Sequence, residues 1–428
     1  MGNKLDYRQL VWIGTGHVIG AGVVSIVGSA LNATGNSVWL AFLTACILSF
    51  IRILPVIFFT SAVAVEGGRY GMITRCAGIK YGGMVTLSSL LNWSARGTAV
   101  VALSSYIEDF MPFVNSRAVT VSIWTFFCIA NLFGLDVMSR IQQTVTPLLL
   151  CALGIFSAVC IVNTRSGYVD FASGEMFVNG IGGFFTAVVL LSYSCDGIAS
   201  LANYSCLCER PTVNIPRAMV TVSALTTAIY VAVGYASGSV LPLEQTAGKT
   251  LIVTARYVLP GIWFYMFVIL GPIFALVTTM NAGIPDSILP VMAGAYEGWL
   301  PKWLTKQNRY GAYPRAIGII YIIGALPVIA RIPVTQIAST TIVLGALSAV
   351  LIIISAANFP FVYPVEWKKS KLYISLPIYF AIISVCAAIE LFMVLRALSQ
   401  LSITMIMLNI CLMLTCLYYG FHKKTTNK

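Results

Sequence analysis

Apolar runs of about twenty residues recur along almost the whole chain, and this one feature leaves few architectures open. In lipid every backbone N–H and C=O needs a partner within the protein, so only helices and closed barrels can span a bilayer. Runs of this length suit helices; a membrane strand needs only about ten residues. The runs lie at about 11–32, 38–62, 83–107, 118–137, 143–162, 181–205, 218–240, 258–291, 314–331, 336–357, 373–396 and 402–420. Short connections join them, which predicts one membrane domain. Charged residues make up 9% of the chain, against about 25% in soluble domains, so there is too little polar surface for water.

The charge of +12 is a topological signal. With both termini cytoplasmic, eighteen of the 26 Lys and Arg residues fall in inside loops and tails, and six fall outside. That is the bias of the positive-inside rule. No basic block of the kind that binds nucleic acid occurs. Residues 1–30 place basic residues before an apolar run, as a signal peptide does, but the loop bias works only if the first span is retained. Most of the eleven cysteines lie inside spans, as small packing residues do. Cys206 and Cys208 form a C-x-C with no second pair nearby, and His17 and His422 are the only histidines. Neither pattern predicts a metal site or a nucleophile–base pair, so the chain does not read as an enzyme.

Two spans contain residues that interrupt helices. The first carries "GHVIGAGVVSIVGSALNATG" (16–35), with glycines at 16, 20, 22, 28 and 35. Each costs a helix interior about 1 kcal/mol relative to alanine. The sixth carries "LSYSCDGIAS" (191–200), with Asp196-Gly197 at mid-depth. Five spans separate the two. Paired interruptions at matching positions of two halves point to a binding site, where half-helix N–H groups meet an anion and freed carbonyls meet a cation. The alternative for the first is a small-residue packing face.

In that order and spacing, "GHVIGAGVVSIVGSALNATGNSVWLAF", "EGGRYGMITRCAG", "ANLFGLDVMSRIQQ", "ERPTVNIPRAM" and "NRYGAYPRAI" resemble permeases of the amino acid–polyamine–organocation superfamily, over about residues 8–320. The resemblance implies an all-α integral membrane protein of about 12 transmembrane helices with both termini cytoplasmic. It implies a LeuT-like 5+5 inverted repeat (about 8–162 and 180–357) and two appended helices (about 372–420). It also implies a multi-pass protein of the cell membrane that moves a small amino acid by alternating access. The alternatives are an amine or polyamine antiporter, or a transporter-like sensor that binds without moving its ligand.

On this reading the substrate contacts Ile19, Gly20, Ala21, Gly22 and Val23 of the first span and Tyr193, Ser194, Cys195, Asp196, Gly197 and Ile198 of the sixth. Its carboxylate sits on the 21–23 N–H groups, and its ammonium sits near the Tyr193 and Ser194 carbonyls. The chain departs from the family pattern in four places. Ile198 stands where an aromatic gate is common, and Cys206 and Leu207 replace an acidic pair. Leu149 stands where proton-coupled relatives can carry a lysine, and Pro285, Asp286 and Pro290 interrupt helix eight. No cofactor is expected. Sodium, held by Thr278 and Thr279, a proton, or exchange without a driving ion all remain open.

Arg52, Arg96, Asp196, Asp286 and Glu390 lie well inside spans, where each costs about 2.5–3.5 kcal/mol unless partnered or in a wet cavity. Arg96 is too deep in the third span to reach the interface, and it is expected beside Asp196 among the substrate-binding residues of the central site. Asp196 then either serves the substrate amine or stays neutralised by Arg96, the alternative being a structural ion pair without substrate contact. Glu390 reads as structural. His17 reads as a packed histidine, a substrate contact or a proton relay. The oligomeric state is not legible.

Overall fold

The computed structural model describes residues 4–423, except 21, 112, 172, 332, 333 and 400. Among these the chain is helical, and its one β feature is an isolated parallel bridge between Leu5 and Cys208. In chain order the helices are α1 (Tyr7–Val18), α2 (Val27–Thr34), α3 (Val38–Ala62), α4 (Arg69–Cys76), α5 (Ile79–Leu91), α6 (Arg96–Phe110), α7 (Ser116–Leu132), α8 (Leu135–Val162) and α9 (Gly180–Cys195). There follow α10 (Pro211–Ser239), three short pieces α11 (Leu243–Thr246), α12 (Ile252–Val258) and α13 (Ile262–Val268), then α14 (Phe274–Tyr296) and α15 (Pro314–Ile329). The last four are α16 (Val334–Val362), α17 (Pro364–Lys369), α18 (Leu376–Leu398) and α19 (Ile403–His422). Among the described residues, eight helical stretches are long and apolar enough to cross a membrane, with Val27–Ala62 counted as one. Two shorter apolar helices, α7 and α15, add to them.

Local sequence explains how the central helices begin. A capping box starts α1: the Asp6 carboxylate accepts from the Gln9 N–H (2.7 Å), and the Gln9 carboxamide accepts from the Asp6 N–H (2.9 Å). Four N–H groups that have no carbonyl a turn back open every helix, and this arrangement meets two of them. The Leu5 N–H then donates to the Leu207 carbonyl, and the Glu209 N–H donates to the Leu5 carbonyl, each at 2.9 Å. The start of α1 is thereby stitched to the far end of the segment that follows α9.

The buried core runs through α1, α3, α8, α10 and α14, with α1 packed on α10, α8 and α14 and α3 packed on α9 and α10. Toward the C-terminus, α18 lies against α16 and α3, and α19 lies against α5 and α16.

Three expectations about helix continuity need correction. Pro285 and Pro290 do not interrupt helix eight, because α14 runs unbroken through both. Neighbouring side chains can meet the carbonyls that proline frees. The carbonyls freed are those of Asn281 and Asp286, four residues before each proline, and the adjacent Ser287 carbonyl accepts from the Trp93 indole N–H (3.0 Å). The irregularity instead lies upstream, in a π-helical turn at Ile269–Ile273 around Pro272. The third span is likewise two helices, α5 and α6, joined by a 3-10 turn at Asn92–Ala95. The connection between the second and third runs, about 63–82, itself contains helix α4.

Candidate functional site

Both expected interruptions are present in the backbone. Helix α1 stops at Val18, Ile19 is extended (φ −77°, ψ 93°), and the chain resumes as a π-helical turn at Gly22–Ile26 before α2. Ala21 lies outside the described residues. In the sixth span α9 continues through Tyr193, Ser194 and Cys195, so the break is narrower than the sequence suggested. It falls on Asp196, extended at ψ 155°, and Gly197, left-handed at φ 114°. A 3-10 helix, Ile198–Leu207, carries the chain onward. Only glycine takes such a φ without strain.

The two breaks touch each other. Gly22 packs on the Ser194 side chain, and a Cβ on Gly197 would stand 2.7 Å from His17 Cδ2. Gly20 packs against Thr279 of α14, whose hydroxyl is 3.4 Å from the His17 carbonyl. Close approach of backbones is therefore one purpose of the glycines. Opening the helices is the other.

Tyr230 of α10 ties the two gaps together. Its fully buried hydroxyl lies 2.8 Å from the Val18 carbonyl and 2.9 Å from the Ser194 carbonyl, so one O–H serves the last turns of both half-helices. Nothing in the sequence reading singled out this residue. The available signal was a phenol in an otherwise apolar run, since a buried tyrosine hydroxyl needs a partner. Tyr230→Phe removes the one proton that these two buried carbonyls share and is expected to cost about 1–3 kcal/mol of stability. Chemical unfolding in detergent reads that loss directly, and an unchanged midpoint would mean the carbonyls have other donors.

Around the gaps the polar side chains sort into two groups. In the first, His17 Nε2 lies 3.7 Å from Asp286, whose other oxygen accepts from Asn203 Nδ2 (2.8 Å) and lies 3.8 Å from Arg69. In the second, Arg52 of α3 holds Glu390 of α18 through Nε (2.6 Å) and Nη2 (3.2 Å), and it reaches Asp196 through Nη1 (3.2 Å). Beside the second group the Cys46 and Cys195 sulfurs stand 3.4 Å apart. A disulfide needs about 2.05 Å, so copper-phenanthroline oxidation is expected to join them with little backbone movement. Mass spectrometry of the cross-linked peptides tests this, and two free thiols after oxidation would refute the α3–α9 packing.

A family model described as amino acid permease matches residues 5–417. The chain belongs to the amino acid permease family. As a member it is a multi-pass membrane transporter with an amino acid for substrate, and not an enzyme. It is 21% identical over 328 residues to the branched-chain amino acid permease BcaP of Bacillus subtilis, covering 71% of this chain and 70% of that one. It is 23% identical over 320 residues to the inner membrane transport protein YbaT of Escherichia coli, with 72% and 73% covered. A third relative is the vacuolar cationic amino acid transporter 2 of Arabidopsis thaliana, 24% identical over 399 residues, with 86% and 61% covered.

In this permease several site residues stand elsewhere than expected. Asp196 is not beside Arg96. At the break its extended backbone turns the carboxylate toward α3 and α18, where Arg52 takes it, and the side chain is 57% exposed. Arg96 instead lies across Gly283 of α14, which a Cβ would bring into collision with its guanidinium. The Tyr193 side chain faces outward and is 54% exposed, and the Ser194 carbonyl is engaged by Tyr230. Ile19, Val23, Cys195 and Ile198 are buried. The Thr278 hydroxyl donates back to the Phe274 and Ala275 carbonyls at 2.9 and 3.0 Å, as a threonine in a membrane helix commonly does. Of the C-x-C pair, Cys208 is buried, and burial pushes its thiol up to about 11, away from the thiolate a metal requires.

Proposed function

We propose that this permease is a secondary transporter that moves a small amino acid by alternating access, with the substrate lodged where the two breaks meet. The observation that carries the reading is that contact: Gly22 on Ser194 and Gly197 on His17 bring gaps some 170 residues apart to one place. Helical backbone that opens inside a membrane protein survives only where it is buried or lines a cavity. The N–H groups of Gly22 and Val23 begin a helical segment, so no carbonyl one turn back within it receives them, and they suit a carboxylate. The ammonium goes to backbone carbonyls at the two breaks, those of Ile19 and Cys195 among them.

In this account the chain has twelve spans, formed by α1 with α2, then α3, α5 with α6, α7, α8, α9 with its 3-10 continuation, α10, α13 with α14, α15, α16, α18 and α19. Both termini are cytoplasmic, the first ten spans form two inverted five-span repeats, and α18 and α19 are appended. The positive-inside count supports this orientation.

Purified protein in liposomes preloaded with an unlabelled amino acid should accumulate the labelled form by counterflow. Imposed sodium and proton gradients, applied separately, then distinguish symport from exchange. Ligand-induced thermal stabilisation without any flux would overturn transport and leave a sensor.

A further inference from the structure

Arg96 is a charge without a counter-charge. It opens α6, and its guanidinium lies over Gly283, where the absence of a side chain makes the room. Among the described residues no carboxylate forms an ion pair with it, and its Nε is buried with no hydrogen-bond partner. Every other arginine or acid deep in the spans has an opposite charge within reach: Arg52 has Asp196 and Glu390, and Asp286 has Arg69 and His17. A lone guanidinium at this depth costs several kcal/mol unless something arrives to pair with it.

Its position shows where that partner would sit. Thr279, Gly283 and Asp286 follow one another at helical spacing and share one face of α14. Gly20 of the first break packs on Thr279, His17 faces Asp286, and Arg96 covers Gly283 between them. Four residues of helix separate Thr279 from Gly283, a rise of about 6 Å. The two carboxyl carbons of an extended five-carbon dicarboxylic amino acid are about 5 Å apart by bond lengths. A ligand whose α-carboxylate meets the N–H groups at Gly22 and Val23 can therefore present a second carboxylate to Arg96. The Tyr204 hydroxyl, fully buried, and the Ser194 hydroxyl, nearly so, have no partner among the described residues and add donors nearby. All these unmet groups can donate to an anion.

We infer that the substrate of this permease is an acidic amino acid, with Arg96 as the residue that reads its side-chain carboxylate. This rests on the proposed site at the two breaks. A guanidinium suits the task because it offers a carboxylate two parallel N–H donors. The same charge repels a cationic side chain and leaves a neutral one facing an unpaired guanidinium.

Binding and flux separate the two ideas. Calorimetric titration of the purified protein with L-glutamate, L-aspartate, L-leucine and L-arginine should show an acidic amino acid binding at least tenfold more tightly than the others. Arg96→Gln should weaken the acidic ligand about a hundredfold and leave L-leucine within a few-fold, and Arg96→Lys should recover part of the loss. L-leucine or L-arginine binding more tightly than both acids, or Arg96→Gln weakening all ligands equally, would overturn the inference while the permease reading stands. Acidic binding lost selectively in Arg96→Gln, with no counterflow of any amino acid, would support the inference and overturn transport.

Discussion

Replacing Arg52 with alanine is expected to destabilise the folded protein by about 3–5 kcal/mol, the usual consequence of removing one partner from a buried ion pair. The Arg52 and Glu390 side chains are only 18% and 10% exposed, and two of the guanidinium's N–H groups are committed to that carboxylate. Without Arg52, Glu390 becomes an unpaired charge between α3 and α18. Asp196, held by a single N–H at 3.2 Å with its side chain 57% exposed, contributes less to the loss than Glu390 does. A second change makes the assignment decisive. Glu390→Gln in the Arg52→Ala background removes the stranded charge and should recover most of the stability, so the two effects should be strongly non-additive. Chemical unfolding in detergent measures both, and losses that simply sum would show that the pair is not coupled.

The second large effect belongs to Gly197. At φ 114° an L-residue is strained by about 1–3 kcal/mol, and the new methyl would also stand 2.7 Å from His17 Cδ2. Gly197→Ala should thus either push His17 off Asp286 or straighten the break, and counterflow should fall more than tenfold. Gly311→Ala is the control. Its φ of +75° is also positive, but nothing lies within 4 Å of the added Cβ. It should lose stability without losing transport selectively. Equal effects on counterflow in the two variants would mean that Gly197 matters only for folding.

The helical character of the chain and the location of both breaks were legible because they follow from local rules. A twenty-residue apolar run is helical in lipid for reasons that need no neighbours, and glycines at 20 and 22 or an Asp-Gly at 196–197 are conspicuous inside one. What the sequence withheld was pairing. Arg52, Arg96, Asp196 and Glu390 all stood out as intramembrane charges, but nothing local states which helices lie together. Asp196 was assigned to Arg96 because the resembling fold packs helix three beside helix six. A ψ of 155° at the break aims its side chain at α3 instead, a direction fixed by two backbone dihedrals. Tyr230 went unnoticed for the same reason, since its role exists only once α10 packs over both gaps. The prolines of α14 misled because proline breaks a helix in water more reliably than among packed helices, and α14 runs unbroken through both.

The central claim is that the two breaks form a single substrate site, and a cryo-electron microscopy structure with a bound amino acid tests it most directly. The account predicts ligand density between Gly20–Val23 and Asp196–Ile198, with a carboxylate within hydrogen-bond distance of the Gly22 and Val23 N–H groups. Density confined to another site would contradict it, most plainly in the cavity of about 120 Å³ beside Glu66, Tyr70, Arg75 and Glu297.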